Sequence, residues 1–99
     1  MKAARAALPK FVQHTTWQVR MYAARAAGAL GGFDALDTLS TDPNDNVREA
    51  VLTALIDAKR PEAVTVAMTA LTRPDYQLVI TATKALADAT LAPKAPWRP

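Results

Sequence analysis

The sequence predicts an all-α protein made of paired helices, on the basis of three observations. Alanine occupies 22 of the 99 positions. A core filled with alanine requires elements that approach closely, and alanine is also the best helix former. Apolar residues recur at helical intervals in three long segments, and no useful strand-like alternation is present. Gly31-Gly32 and the turn clusters at 42–45 and 73–75 then divide the chain into short elements.

The three long segments, 17–30, 45–58 and 76–89, resemble one another and predict the long helices. Val19 precedes Val47 by 28 residues, and Val47 precedes Leu78 by 31. The apolar residues have the same spacing in each segment, so each helix should bury one face. The predicted core positions are Val19, Ala23, Ala26, Ala27 and Leu30, then Val47, Val51, Ala54, Leu55 and Ala58, then Leu78, Ala82, Ala85, Leu86 and Ala89.

Shorter helices are predicted before each long one. Residues 3–12 should form the first, broken or bent at Pro9. Residues 33–39 should form the second, with Leu36 and Leu39 facing inward.

Residues 63–71 should form the third short helix. Pro61 suits a first helical position, and Glu62 suits the positive helix end. Val64, Met68 and Leu71 fall on one stripe of this helix. Aspartate and asparagine in the turn clusters can cap the helices that follow. The prediction is therefore six helices in three pairs.

Charge is distributed unevenly along a chain whose net charge is +3. Residues 1–33 carry five basic side chains and no acidic one, whereas residues 34–62 carry seven acidic and three basic ones. This asymmetry could steer an anionic partner to the N-terminal third, or the charges could simply solvate helix faces. No apolar run approaches the length of a membrane span. The first residues resemble a signal peptide, but Pro9 and Lys10 interrupt the apolar region that one needs, so no signal peptide is predicted and the compartment is unknown.

The sequence suggests no catalytic, metal or cofactor site. Cysteine is absent and His14 is the single histidine, which removes thiol chemistry and histidine-rich metal sites. Asp34 and Asp37 are three residues apart on a short helix whose face is predicted to be solvated, so nothing separates their pKa values for acid–base work. The cluster at 42–45 lacks the glycine and glutamate of a calcium loop. The protein is therefore predicted not to be an enzyme.

The repeated segments resemble the HEAT family of helical repeats. The resemblance rests on Leu39, the run Asp42-Pro43-Asn44-Asp45-Asn46-Val47-Arg48 and Ala54-Leu55, and on Trp17-Gln18-Val19-Arg20 with Ala23, Ala24, Ala26 and Gly31. It implies a short superhelix of three helix pairs, with the long helices on the concave face and the short ones on the convex face. The units would be about 1–31, 32–59 and 60–91, and the proline-rich residues 92–99 would form a tail or linker.

The resemblance also implies a structural role for Arg20, Arg48, Asp42 and Asp45. These residues would form a ladder in which each arginine binds a carboxylate or carbonyl of the preceding turn. The chain departs from the family at two places. The turn 13–16 has no aspartate, and Val79 stands where the family has arginine. Both departures predict that the outer units are less tightly fastened.

Positions of the long helices that lie off the predicted core match the concave positions through which the family binds its partners. They are Trp17, Gln18, Met21, Tyr22, Arg25, Asp45, Asn46, Glu49, Ala50, Thr53, Asp57, Tyr76, Gln77, Ile80, Thr81, Lys84 and Asp88. The predicted partner-binding residues are all of these except Asp45, Ala50, Asp57, Thr81 and Asp88. Tryptophan, tyrosine and arginine are enriched in binding hot spots, and methionine suits adaptable surfaces. The alternative is that Trp17, Met21 and Ile80 pack against a neighbouring repeat.

The predicted function is a non-catalytic scaffold that binds a protein partner through this concave face. One alternative is a nucleic-acid-binding module, although the acidic residues on the same face argue against a phosphate track. The other is an accessory repeat module of a larger multidomain enzyme. Neither end carries a polar cap, which suggests a piece of a longer chain or a homo-oligomer that covers its ends. Trp97 in the tail could fold back on the last helix or begin a connection to another domain.

Overall fold

The computed structural model describes residues 2–87, with side chains described from residue 6. The helices are α1 (Lys2–Val12), α2 (Trp17–Leu30), α3 (Phe33–Leu39), α4 (Asp45–Asp57), α5 (Glu62–Ala70) and α6 (Tyr76–Ala87). No strand occurs between residues 2 and 87. The all-α prediction is confirmed, and α1 continues through Pro9 without a break. The predictions for Ala89, the end of the third unit, the tail 92–99 and Trp97 lie outside the described residues.

Local signals explain where α2 and α4 begin and end. Gly31 has a positive φ of 73°, which a glycine adopts without strain. The N–H of Gly32 then donates to the carbonyl of Ala27 at 2.8 Å and closes the end of α2. At the start of α4, the side chain of Asn44 accepts from the N–H of Asn46 at 2.8 Å. These interactions are local in sequence, so they are readable from it.

Lys59 ends α4 in a conformation that non-glycine residues rarely adopt. Its φ is 57°, and the N–H of Arg60 donates to the carbonyl of Leu55 at 2.9 Å. This is the same helix ending that Gly31 makes, but with a side chain present.

The long helices pack in succession, α2 against α4 and α4 against α6. Each short helix packs against the long helix that follows it, and α1 also contacts α3. The largest fully buried side chains are Leu36, Leu39, Val47, Val51, Leu52 and Leu78, and alanines of α2, α5 and α6 complete the core. Small side chains let these helices approach closely.

The predicted core of α4 requires three corrections. Ala58 was expected in the core, but it is exposed. Ala50 and Leu52 were not predicted to be in the core, yet both are buried, Leu52 fully. The reason is that α4 contacts α2, α3, α5 and α6, so more than one of its faces is covered, whereas its C-terminal end is not.

Helix α5 buries its alanines and leaves the largest side chain of its predicted apolar stripe exposed. Its buried residues are Ala63, Ala67 and Ala70. Met68 and Leu71, which share the predicted apolar stripe, are 61% and 43% exposed. Of the predicted stripe, only Val64 packs against the core, where it is partly buried, because the alanines on the other side of the helix make the close contact.

In the described part of the chain, no helix combines the length and the hydropathy that crossing a membrane requires.

Candidate functional site

An open groove of about 690 Å³ lies between α2 and α4. It is lined by Met21, Arg25, Gly28 and Ala29 of α2, by Asn46, Glu49, Ala50, Thr53, Ala54 and Asp57 of α4, and by Ala58 just beyond α4. Its volume is in the range of about 300–1,000 Å³ that is typical of ligand sites. We call it the α2–α4 groove.

The floor of the α2–α4 groove is formed by small residues. A Cβ placed on Gly28 would lie 2.8 Å from the Cβ of Ala54, closer than two carbon atoms can pack. The glycine therefore lets the two helices approach closely. Because Ala29, Ala54 and Ala58 end at Cβ, the backbone of a bound molecule can approach closely here as well.

The walls of the groove carry charges of both signs. The guanidinium of Arg25 lies over the ring of Tyr22, 5.6 Å from its centroid. On the α4 wall, the carboxylate of Glu49 accepts from the hydroxyl of Thr81 at 2.9 Å. Neither Glu49 nor Asp57 has a cationic group of residues 6–87 within 4.0 Å. The α4 wall thus presents two carboxylates without a charged partner in that range.

The structure brings together five of the twelve residues predicted to bind a partner. Met21, Arg25, Asn46, Glu49 and Thr53 line the α2–α4 groove. The other seven do not: Gln18, Tyr22, Tyr76, Gln77 and Lys84 are exposed outside it, and Trp17 and Ile80 are half-buried.

Two of the residues predicted to bind a partner are more buried than expected. Trp17 and Met21 were expected to lie off the core, but both are partly buried and pack against it. Trp17 in particular packs on the core outside the groove, in line with the packing alternative. The small floor residues were not among the predicted binding residues. Ala50 was placed off the core and Ala54 and Ala58 were placed in it, although the three recur every four positions, a spacing that places them on one helix face.

Arg20 forms the most buried ion pair of the described residues. Its Nε donates to Oδ2 of Asp42 at 2.7 Å, and its Nη2 donates to Oδ1 at 3.1 Å. The two side chains are only 15% and 5% exposed. Nη1 of Arg20 also donates to the carbonyls of His14 and Thr15. Arg20 therefore joins the turn before α2 to Asp42 in the turn before α4. The hydrogen bond to Asp42 raises the pKa of Arg20.

Two further arginines extend these contacts. Arg48 donates to the carbonyls of Asp42 and Thr41. Arg73, which was not among the predicted ladder residues, donates to the carboxylate of Asp45 at 2.6 Å and to the carbonyl of Pro43 at 3.0 Å. We call Arg20, Asp42, Arg48, Asp45 and Arg73 the arginine ladder.

The arginine ladder includes polar contacts at both places where the chain departs from the family pattern. The turn 13–16 has no aspartate, but its carbonyls accept from Arg20. Val79 cannot donate such a bond, and Arg73 from the turn before α6 supplies one instead. Only the folded chain brings Arg73 next to Asp45.

A second type of ion pair lies on the surface. Arg60 donates to the carboxylate of Glu62 at 2.7 Å, and this hydrogen bond lowers the pKa of Glu62. The two side chains are 39% and 47% exposed. Arg60 also lies over the ring of Phe33, 4.2 Å from its centroid.

The remaining polar residues form local contacts. Nδ1 of His14 accepts from the N–H of Thr16 at 3.0 Å, within one turn. Within the described residues, no group of three or more histidines, cysteines or carboxylates is arranged to hold a metal ion.

Comparison with known proteins found no relative of this chain. No family model matches the chain, and neither a curated protein nor a solved structure does. The resemblance to HEAT repeats therefore stays a prediction from the repeated residues of the sequence.

Proposed function

We propose that this protein is a non-catalytic interaction module that binds a protein partner through the α2–α4 groove. The observation that carries the proposal is that five residues predicted to contact a partner converge on one groove of about 690 Å³. The groove has a floor of small residues, where a closely packed partner can exclude water. It also has charged and amide side chains at its edges, which can fix the orientation of the partner.

We also propose that the helices form a short superhelix of three HEAT-like pairs, with α2, α4 and α6 lining the concave face. The successive packing of the long helices supports this arrangement. So does the arginine ladder, which joins the turns before α2, α4 and α6. In such a stack each unit contacts only its neighbours, and the long helices present a continuous surface.

The charge of the groove favours a protein partner over nucleic acid. Its lining carries one guanidinium, from Arg25, and two carboxylates, from Glu49 and Asp57. A surface that follows a nucleic-acid backbone needs several cations to replace counterions, and a groove with excess negative charge repels phosphates. A role as an accessory repeat module in a larger enzyme would use the same groove.

Crosslinking from inside the groove tests the proposal. Benzoylphenylalanine would replace Thr53, which is exposed in the groove, or Met68, which is exposed on α5 outside it. We expect a partner protein to crosslink from position 53 and not from position 68. Equal crosslinking from both positions, or crosslinks to nucleic acid alone, would refute the proposal.

The identified partner should then be purified and its affinity measured by calorimetry. Thr53→Arg places a long side chain in the groove and should weaken binding by at least about tenfold, the scale of a hot-spot contact. Thr53→Ser keeps the hydroxyl and should bind within about twofold of the original chain. An unchanged affinity for Thr53→Arg would place the binding surface elsewhere.

A further inference from the structure

We infer that the α2–α4 groove accepts an α-helix whose contact face combines a ridge of small residues with two basic side chains spaced eight residues apart. This inference rests on the proposed function of the groove, and it names the kind of partner segment that the groove fits.

The floor of the groove determines the shape of the bound segment. Ala50, Ala54 and Ala58 follow one another at intervals of four residues and line the groove together with Gly28 and Ala29. Eight residues of helix span about 12 Å, so this floor is a row about two turns long that is inclined to the helix axis. Rows of residues spaced by four on one helix pack into the matching rows of another. A partner helix with small residues at the same interval therefore fits the floor with close backbone contact.

The α4 wall determines the charge of the bound segment. Glu49, Thr53 and Asp57 repeat the spacing of the floor and lie beside it. The two carboxylates are thus about 12 Å apart along the helix axis. Because neither has a cationic partner within 4.0 Å in residues 6–87, a basic side chain from outside can pair with each.

The residues between the two carboxylates favour a neutral centre. Thr53 separates Glu49 from Asp57 on the α4 wall, and Arg25 lies on the α2 wall. A third basic residue of the partner, halfway between the other two, would face the threonine and approach the guanidinium without gaining a carboxylate. The complementary helix therefore has basic residues at the first and ninth positions of the contact and a small neutral residue at the fifth.

Three synthetic alanine-based helical peptides of 17 residues test this pattern. The first carries two lysines eight residues apart, the second carries two glutamates at the same positions, and the third carries two lysines five residues apart, on different faces. Each is titrated into the full chain, and backbone amide shifts are followed by NMR. We expect the first peptide to move the resonances of the groove, including those of Thr53 and Ala54, and to bind about tenfold more tightly than either of the others.

The matched protein variant combines Glu49→Gln with Asp57→Asn. Both changes keep the side-chain shape, and glutamine still offers an oxygen to the hydroxyl of Thr81. The variant should bind the first peptide about tenfold more weakly than the original chain, and this difference should shrink as salt is added. An unchanged melting temperature would show that the loss comes from the groove.

Several results would overturn the inference. It fails if the glutamate peptide binds as well as the lysine peptide, if the double variant binds the lysine peptide unchanged, or if that peptide leaves the groove resonances unmoved at millimolar concentration. The crosslinking from position 53 is independent of these peptides, so a protein partner captured there would keep the proposed function while this inference failed.

Evidence that either of two other segments occupies the groove would also overturn the inference. Groove resonances that move with protein concentration alone, and stop doing so in the double variant, would assign the groove to a second copy of the chain. Groove resonances that move when Lys94→Ala and Arg98→Ala are introduced would assign it to the chain's own basic segment 88–99.

Discussion

Neutralising Asp42 should destabilise this protein more than neutralising a member of either of the other two described ion pairs, which are more exposed. Asp42→Asn keeps the size of the side chain and an oxygen that can accept from the N–H of Asn44, a bond that Asp42 makes at 2.9 Å. It removes the charge that two nitrogens of Arg20 approach at 2.7 and 3.1 Å. The amide nitrogen of asparagine would then face one of those donors and leave the guanidinium without a counter-charge.

The size of the effect follows from burial. Removing one partner of a buried ion pair costs about 3–5 kcal/mol. Arg20 keeps the carbonyls of His14 and Thr15 as acceptors and is 15% exposed, so the lower end applies. We expect the free energy of unfolding to fall by about 3 kcal/mol, and the melting temperature by about 12–24 °C for a domain of this size.

Urea denaturation followed by circular dichroism at 222 nm measures this change. The control is Glu62→Gln, which neutralises the exposed pair with Arg60 and should cost less than about 0.5 kcal/mol. Combining Asp42→Asn with Arg20→Gln completes a double-mutant cycle, and the coupling between the two sites should be about 1–3 kcal/mol. If Asp42→Asn costs no more than Glu62→Gln, or if the two sites do not couple, the ion pair does not join the turns as described.

Three further predictions, which involve five substitutions, test the packing and one backbone conformation by the same measurement. Gly28→Ala should lower stability by about 1 kcal/mol, because the added Cβ meets that of Ala54 and this overpacking outweighs the better helix propensity. Ala54→Gly should then cost less in the Gly28→Ala background than alone, and equal costs would contradict the contact. Lys59→Gly should raise stability by about 1 kcal/mol, because glycine adopts the positive φ without strain, and a loss would argue against that conformation. Tyr22→Ala should change the free energy of unfolding by less than about 0.5 kcal/mol, whereas Trp17→Ala should lower it by about 2 kcal/mol. The reason is that only the tryptophan packs on the core. Equal effects of the two substitutions would contradict this difference.

Much of the helical structure is encoded locally and was readable from the sequence. The spacing of apolar residues and the glycine after Leu30 predicted helices at 17–30 and 33–39, and the structure has them at these positions. Asn44 caps α4 through a bond that spans two residues. Such signals act within one or two helical turns, so they do not depend on which other helices lie nearby.

The candidate site was predicted only in part, because it depends on contacts between helices that are distant in sequence. The helical period correctly separated the polar positions of α4 from most of its core, and Glu49 and Thr53 were assigned to a binding face from it. The floor of the groove was missed, because the helical period assigned Ala54 and Ala58 to the core. Their importance appears only when two helices approach closely enough for Gly28 to meet Ala54.

The sequence by itself determined that the chain is all-α, which segments are helical and where several of those helices end, because short-range backbone preferences decide these features. Tertiary structure alone decided that Arg73 reaches Asp45 across 28 residues and that Met68 faces outward. It also decided that Ala58 lines a groove instead of the core. Each of these outcomes depends on which helix lies beside a given face, and that neighbour is distant in sequence, so no local pattern can specify it.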